Sequence, residues 1–249
     1  MGTPRGKSKR ADILLVESGR CESRNEAQRL IMAGKVRRGA DHVITKPSVK
    51  VPVDAELSVE NDFPYVSRGA LKLLPAIETL HPQIENSVCL DVGASTGGFT
   101  DVLLQHGARR VYAVDSGYGQ LHYRLRRNPR VISLERTNAR YLHAHSIPEP
   151  IAILTIDVSF ISVTKILPAC TAVMDGNAWA FVLVKPQFEA QRDDVGRGGV
   201  VRDPDVRQRA VEKVRKYAVT TLNWSFVDTL PSPIQGPAGN QEFMTVYRT

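Results

Sequence analysis

Residues 88–99 read Val88-Cys-Leu-Asp-Val-Gly-Ala-Ser-Thr-Gly-Gly-Phe99. An apolar run ends in an acid, a loop of small residues follows, and apolar side chains then recur at helical spacing as far as Leu104. The three glycines lack Cβ, so the backbone can turn sharply there and approach a ligand closely. A helix that begins after such a loop offers free N–H groups to a carboxylate or a phosphate. The stretch predicts a strand, a glycine turn and a helix that bind a ligand, and a bulky residue at Gly97 is expected to block the pocket without unfolding the chain.

The spacing of the glycines and the end of the next strand narrow the choice of ligand. The loop has the pattern G-x-x-x-G-G without a G-K-[ST] step, which excludes a phosphate-binding loop of the Walker type. The next apolar run, Val111–Val114, ends in Asp115, 22 residues after Gly93, where an acid suits the diol of a ribose. This combination fits S-adenosylmethionine (SAM) as well as NAD, and an ordinary turn with an acidic strand end has the same pattern.

The net charge of +7 is confined to one end of the chain of 249 residues. Residues 1–50 hold 12 Lys and Arg against 5 Asp and Glu, whereas residues 51–249 hold 21 of each. This asymmetry predicts a small basic module attached to a larger neutral domain. A polyanion is the expected partner of the module, with nucleic acid preferred to a membrane surface.

Other features of the composition exclude several classes of protein. The longest wholly apolar run is Ala178–Val184, far below the ~18 residues of a membrane span, and Ile13–Val16 is too short for a signal-peptide core. Cys21, Cys89 and Cys170 are widely separated, so neither a disulfide framework nor a metal site is expected. A protein of the reducing cytoplasm is therefore predicted, and the sequence does not indicate an oligomeric state.

The basic module carries clear helix signals. A helix is expected over Ala11 to Ser18, and Ser23 with Glu26 three residues later forms a capping box for a second helix that Gly34 ends. Short strands that form one small curved sheet are expected to follow.

The strings Lys9-Arg-Ala-Asp12, Ser23-Arg-Asn-Glu-Ala27 and Gly34-Lys-Val36 in this order resemble the S4 RNA-binding fold. The chain departs from the usual S4 pattern in having Arg38-Gly39 where Asn-Gly often stands. The resemblance implies RNA binding by a group of basic side chains: Arg10, Arg24, Arg29, Lys35 and Arg37.

Strands and helices alternate in the rest of the chain, which predicts a mostly parallel, doubly wound α/β sheet. Helices are expected from Ala70 to Leu80 and from Pro204 to Ala218, and an antiparallel pair closes the sheet. The predicted strands are Val88–Val92, Val111–Val114, Val131–Leu134, Ile151–Ile156, Ala178–Val184, Trp224–Val227 and Phe243–Tyr247. The expected domains are a basic module over residues 1–60, a linker over 61–69 and the α/β domain over 70–249.

Charged residues follow several of the predicted strands directly. Asp157 ends the run after Ile153, and Lys185 follows Val184. Because ligands bind beyond the carboxyl ends of the strands in an open α/β sheet, these two side chains should share one crevice with Asp91 and Asp115.

A second resemblance rests on these residues and on Lys72 and Glu242. Lys72, Asp157, Lys185 and Glu242 match the Lys-Asp-Lys-Glu tetrad of the FtsJ-like ribose 2′-O-methyltransferases. Longer strings are similar to the TlyA family, which joins an S4 domain to an FtsJ-like methyltransferase: residues 91–99, 135–140, 157–162, 184–189, 198–203 and 236–242.

The second resemblance implies a SAM-dependent enzyme that methylates cytidine ribose 2′-oxygens in ribosomal RNA (rRNA), with rRNA or a ribosomal subunit as its partner. Lys185 would be the general base, Asp157 would orient it, and Glu242 would fix Lys72 or the ribose. The implied SAM-binding residues are Asp91, Gly93, Ala94, Ser95, Gly97, Gly98, Phe99, Asp115, Ser116, Asn138, Ala139 and Asp157. Further RNA contacts are expected at Arg68, Tyr118, Phe188 and Arg197.

Two other functions compete with this prediction. Many members of the TlyA family carry a haemolysin label, although the sequence has no signal peptide, no transmembrane run and no long basic amphipathic helix. The other alternative is a SAM-binding RNA protein without catalysis, which the intact tetrad disfavours. Methyl transfer to RNA would distinguish the enzyme from both alternatives.

Overall fold

The structure is a computed structural model that describes residues 8–21, 23–39, 42–59, 63–143 and 145–249. The chain forms two compact units, residues 1–64 and 65–249. Residues 65–69, which belong to the stretch expected to be a linker, pack within the second unit. Residues 61 and 62 of that stretch lie outside the described residues.

The first unit is a small α+β fold. Its elements are β1 (Ser8–Arg10), α1 (Ala11–Glu17), α2 (Arg24–Met32), β2 (Val36–Arg38), β3 (His42–Ile44), β4 (Lys50–Pro52) and β5 (Leu57–Val59). Strand β2 pairs antiparallel with β3 and β5, whereas β1 pairs with β4, so two small sheets replace the one curved sheet that we expected. Pro52 has no N–H to donate, which limits the length of β4.

Local sequence accounts for the two helices of this unit. Gly19, the second residue after the end of α1, has a φ of +70°, and the Ser23 hydroxyl accepts the Glu26 N–H at 3.2 Å to cap α2. The helices bury their apolar faces against the strands in a core centred on Leu15, Ala27, Ile31, Val36 and Ile44.

The second unit holds the larger sheet. Its helices are α3 (Ala70–Leu80), α4 (Gly98–Gln105), α5 (Tyr123–Arg126), α6 (Leu167–Thr171), α7 (Pro186–Glu189) and α8 (Pro204–Leu222). Its strands are β6 (Val88–Val92), β7 (Arg110–Val114), β8 (Val131–Leu134), β9 (Ile151–Ile156), β10 (Met174–Val184), β11 (Ser225–Pro231) and β12 (Phe243–Arg248). No helix in the described part of the chain combines the length and apolar character needed to cross a membrane.

The seven strands lie in the order β11-β12-β10-β9-β6-β7-β8. All neighbouring strands from β10 to β8 pair in parallel, and β12 runs antiparallel between β10 and β11. The predicted mostly parallel α/β sheet is thus confirmed. Strand order reverses at β6, since β7 and β8 lie on one side of it and β9 on the other, and a ligand is expected in the crevice beyond such a switch point.

Candidate active site

Two adjacent cavities open beyond the carboxyl ends of β6, β7 and β9. The first cavity, of about 400 Å³, is lined among others by Lys72 and Gly98, and the second, of about 410 Å³, by Asp115 among others. Gly93, Ser95 and Asp157 line both, so the cavities meet at the glycine loop. Each volume lies within the range of small-molecule sites, about 300–1,000 Å³.

The glycine loop crosses the switch point at close range. Gly93 has a φ of +81°, and a Cβ there would lie 2.3 Å from the backbone oxygen of Asp157. A Cβ on Gly98 would lie 2.5 Å from Ser67 Oγ and 2.9 Å from the backbone nitrogen of Ala70. Both positions therefore need glycine so that α3, β9 and the loop can approach one another.

Gly97 has a different role from the one expected. Its φ is +95°, and a Cβ there would lie 2.2 Å from Leu125 Cδ1 and 2.8 Å from Leu121 Cδ1, both in buried side chains. Gly97 lines neither cavity. A larger residue at this position would disturb the packing behind the loop, so the expectation that it would only block the pocket is corrected.

The expected ribose acid sits at the end of β7 in the second cavity. Asp115 accepts the N–H of Ser95 and the N–H of Gly117, each at 2.7 Å. Its carboxylate thus holds the glycine loop, and each oxygen retains a lone pair for another donor. The other residues expected near the nucleoside, Ser116, Asn138 and Ala139, line the same cavity, whereas Ala94 and Phe99 line the first.

Asp91 is almost entirely buried at the rim of the first cavity. Its two oxygens accept the hydroxyls of Thr100 at 2.6 Å and Thr155 at 3.0 Å. Burial raises the pKa of Asp91 to about 6, although the hydrogen bonds from Thr100 and Thr155 oppose that shift. The carboxyl group therefore ties β6 to α4 and β9, in addition to facing the expected position of a ligand.

The four residues of the tetrad come together from distant parts of the chain. Lys72 Nζ lies 2.7 Å from Glu242 Oε2 and 3.4 Å from Asp157 Oδ2, and Lys185 Nζ lies 2.5 Å from Asp157 Oδ1. Lys72 comes from the first turn of α3, Asp157 and Lys185 from the ends of β9 and β10, and Glu242 from the residue before β12. Asp157 is thus the bridge between the two lysines.

The cavity linings divide the tetrad into an outer and an inner pair. Lys72 and Asp157 line the first cavity, whereas Lys185 and Glu242 line neither cavity. The two lysines are equally buried, with 9% of Lys72 and 8% of Lys185 exposed. Burial alone would lower the pKa of Lys72, but Asp157 and Glu242 raise it above its usual value. Lys72 is therefore a fixed ammonium, and the position of Glu242 suits fixing Lys72 better than contacting a ribose.

The loop after β9 contains two site residues that the sequence did not single out. Ser159 Oγ accepts a hydrogen bond from Lys185 Nζ at 2.9 Å and lines the second cavity. Phe160 lines the same cavity, is 91% exposed and has a φ of +66°. Both belong to the string 157–162. The signal available in the sequence was an aromatic residue three positions after Asp157 of the tetrad.

The far end of this loop is clamped by Glu189. The buried carboxylate accepts the Ser162 hydroxyl and the Val163 N–H, each at 2.6 Å, and pairs with Lys213 at 3.2 Å. Because Ser159 and Phe160 lie on the same loop, the clamp links α7 and α8 to the lining of the second cavity.

The four residues of the second unit that were predicted to contact RNA lie in different environments. Arg68 is exposed and lines the first cavity. Tyr118 is 66% exposed beneath Arg136, with 4.3 Å from the guanidinium carbon to the ring centroid, but it lines neither cavity. Phe188 is half-buried with its ring 5.3 Å from that of Phe160, and Arg197 is exposed in a turn outside both cavities.

In the first unit, the five predicted basic contacts do not share one environment. Arg10 and Arg24 pair with the buried Asp12 and stay partly exposed. Arg29 is exposed on α2, and Lys35 and Arg37 are half-buried. No group of three or more potential metal ligands occurs among the described residues.

Known structures share this architecture. A structure described as a proposed hemolysin from Streptococcus thermophilus has a TM-score of 0.73 and 40% identity, and the match covers 97% of this chain and 88% of that one. A proposed SAM-dependent methyltransferase from Listeria monocytogenes shares the fold, with a TM-score of 0.54, 12% identity and 73% and 99% of the two chains covered. The second unit therefore has a Rossmann-like fold, and the match of residues 65–249 to the FtsJ-like methyltransferase family model defines its class as a methyltransferase.

Sequence comparisons identify the family. The family models that match are the FtsJ-like methyltransferase over residues 65–249 and the S4 domain over residues 9–57. The chain is 45% identical over 242 residues to the 16S/23S rRNA (cytidine-2'-O)-methyltransferase TlyA of Mycobacterium tuberculosis. The match covers 96% of this chain and 90% of that protein. It is 40% identical to Hemolysin A of Brachyspira hyodysenteriae, with 96% and 99% covered. The chain belongs to the TlyA family, in which an S4 domain precedes an FtsJ-like methyltransferase domain.

Proposed function

We propose that this protein transfers a methyl group from SAM to the 2′-oxygen of a cytidine ribose in rRNA. The observation that carries the proposal is the tetrad, in which Asp157 joins Lys72 to Lys185 at the meeting point of the two cavities. Cytidine in rRNA is proposed as the substrate because the M. tuberculosis relative, which is 45% identical, is described as a 16S/23S rRNA (cytidine-2'-O)-methyltransferase.

The residues around the second cavity suit the nucleoside part of SAM. Asp115 would accept the ribose hydroxyls, and Asn138 with the backbone at Ala139 would contact the adenine. The glycine loop at Gly93 would hold the methionine end, because Gly93 lines both cavities and has only backbone to present to a ligand. SAM, when bound, supplies a methyl group on a positively charged sulfur.

The tetrad then has a division of roles. The ribose 2′-hydroxyl is a very weak acid, so its proton must be taken up as the oxygen attacks the methyl group. Lys185, acting as the neutral amine, would accept that proton on Nζ, and Asp157 would stabilise the ammonium that forms. Lys72, held by Glu242, would orient Asp157 and the ribose. General-base help contributes roughly 10²–10⁴-fold, and alignment of the reacting atoms contributes about 7–11 kcal/mol, so positioning dominates.

The aromatic residue best placed to stack on an extruded base is Phe160. RNA-binding proteins stack unpaired bases on exposed aromatic rings. Phe160 is 91% exposed on the loop that follows Asp157, whereas Tyr118 lies outside both cavities and Phe188 is half-buried against Phe160. We therefore assign the stacking role to Phe160, with Phe188 as its support.

The test is to map 2′-O-methyl groups on bacterial ribosomal subunits that lack the modification, after incubation with SAM and protein. The parent is expected to methylate a cytidine. Lys185→Ala should keep SAM affinity but lose roughly 10²–10⁴-fold in single-turnover rate, as expected for loss of a general base. Lys165→Ala, which removes an exposed lysine near the site, is the matched control.

Two results would contradict the proposal. A parental rate in Lys185→Ala would make that lysine merely structural. Absence of methyl transfer by the parent, combined with lysis of erythrocytes by detergent-free protein, would favour the activity that the name of the Brachyspira relative suggests.

A further inference from the structure

The first unit contains a buried carboxylate with several donors. Asp12 is 0% exposed, and its Oδ1 accepts Arg10 Nε at 2.9 Å. Its Oδ2 accepts Arg10 Nη2 at 2.9 Å, Gln28 Nε2 at 2.9 Å and Arg24 Nη2 at 3.3 Å. One acid in the first turn of α1 therefore holds the guanidinium of Arg10, two residues earlier, in a two-pronged contact and joins it to α2.

The two arginines keep part of each guanidinium available to a ligand. Their side chains are 40% and 56% exposed although the carboxylate between them is fully buried. A guanidinium has five N–H donors, and Arg10 uses two of them on Asp12. The remaining donors of two neighbouring, fixed cations suit a phosphate group, which arginine binds in a forked geometry.

The carboxylate keeps its charge under all conditions in which RNA is handled. The hydrogen bond from Arg10 lowers the pKa of Asp12 far below its usual range, and Gln28 and Arg24 act in the same direction. Asp12 thus carries a constant negative charge inside the most basic part of the chain, where it would weaken the attraction for a polyanion if only net charge mattered.

We propose that Asp12 is a positioning residue for RNA binding: it fixes Arg10 and Arg24 side by side so that they bind the RNA backbone as one preformed unit. The inference rests on the proposed function, since RNA is the substrate there. Ordering a flexible side chain at an interface is costly, and Asp12 has already ordered two such side chains before RNA arrives.

Replacing Asp12 with asparagine distinguishes positioning of the arginines from net charge, because the two explanations predict opposite changes in RNA affinity. Asp12→Asn raises the net charge by one, so a binding mode set by net charge alone predicts tighter binding to RNA. Positioning predicts weaker binding by about 5- to 100-fold, the range expected when two long side chains must be ordered on binding. It also predicts a flatter dependence of affinity on salt, because fixed phosphate contacts are lost.

Glu17→Gln is the matched control in the same unit. It adds the same unit of charge and releases Lys9, with which Glu17 forms an exposed ion pair at 2.6 Å. We expect this variant to bind RNA equally or more tightly than the parent.

The experiment measures binding of full-length proteins to purified bacterial 16S and 23S rRNA at several salt concentrations, with thermal unfolding and SAM binding as folding checks. Weaker binding by Asp12→Asn together with unchanged or tighter binding by Glu17→Gln supports the proposal. Equal or tighter binding by Asp12→Asn overturns it while leaving the proposed function intact, and a parent without affinity for rRNA overturns both.

A second variant keeps the proposal testable if Asp12→Asn fails to fold. Arg24→Lys preserves the net charge and changes an exposed side chain, but an ammonium cannot replace the forked guanidinium. We expect several-fold weaker binding, and parental affinity in this variant would overturn the proposal.

Discussion

Replacing Gly97 with alanine tests whether the glycine loop is held by packing behind it. The added Cβ would lie 2.2 Å from Leu125 Cδ1 and 2.8 Å from Leu121 Cδ1, in side chains that are 3% and 6% exposed. Forcing such a methyl group into a packed interior costs about 1–3 kcal/mol. The left-handed φ of +95° adds roughly 1–2 kcal/mol for any residue with a Cβ. We therefore expect Gly97→Ala to lose about 2–5 kcal/mol of unfolding free energy.

Gly119→Ala is the control that isolates backbone strain. Gly119 has a φ of +71°, and no described heavy atom lies within 4 Å of a Cβ built there. This variant should lose only roughly 1–2 kcal/mol.

Thermal unfolding measures both effects, because 1 kcal/mol shifts the Tm by about 2–4 °C in a domain of this size. Calorimetry with SAM below the Tm reports on the cavity. Equal Tm values for the two variants would refute the packing argument, as would a Gly97→Ala protein of parental stability that cannot bind SAM.

Three further predictions concern other parts of the chain. Asp91 has a raised folded-state pKa of about 6 against 3.8, so its contribution to stability is present below pH 4 and is lost as the pH rises through 6. Asp91→Asn should therefore gain up to roughly 3 kcal/mol relative to the parent between pH 4 and pH 7, and a pH-independent difference in urea unfolding would contradict the burial of this charge. Glu189→Ala should lower kcat, because the loop with Ser159 and Phe160 loses two hydrogen bonds, whereas Lys213→Ala removes the ion pair and the hydrogen bond to the Glu189 backbone oxygen but keeps both hydrogen bonds to the loop; equal kinetics in the two variants would show that the clamp does not matter. Removing residues 1–64 should keep SAM binding but reduce rRNA affinity and flatten its salt dependence, since the excess charge of +7 lies within residues 1–50, and an unchanged salt slope would exclude the first unit as the RNA anchor.

The sequence alone determined the arrangement of elements because the signals for them are local. The strands Val88–Val92, Val131–Leu134 and Ile151–Ile156 and the helix Ala70–Leu80 lie where apolar period and turn residues placed them. The ends of elements that lack a strong local signal differ from the prediction. Strand β10, for example, begins at Met174 and not at Ala178, and its register with β9 is irregular between Met174 and Trp179. Residues that follow strands could be assigned to one edge of the sheet, because parallel strands end together.

Only the tertiary structure decided which atoms meet and which side of a loop a residue faces. The distances within the tetrad depend on four segments spread from α3 to the start of β12, so no local pattern encodes that Asp157 bridges both lysines. The same holds for Gly97, whose role is packing against Leu121 and Leu125, and for Asp12, which is buried between two arginines. Backbone propensity depends on near neighbours in sequence, whereas burial and charge pairing depend on neighbours in space, which the fold brings together.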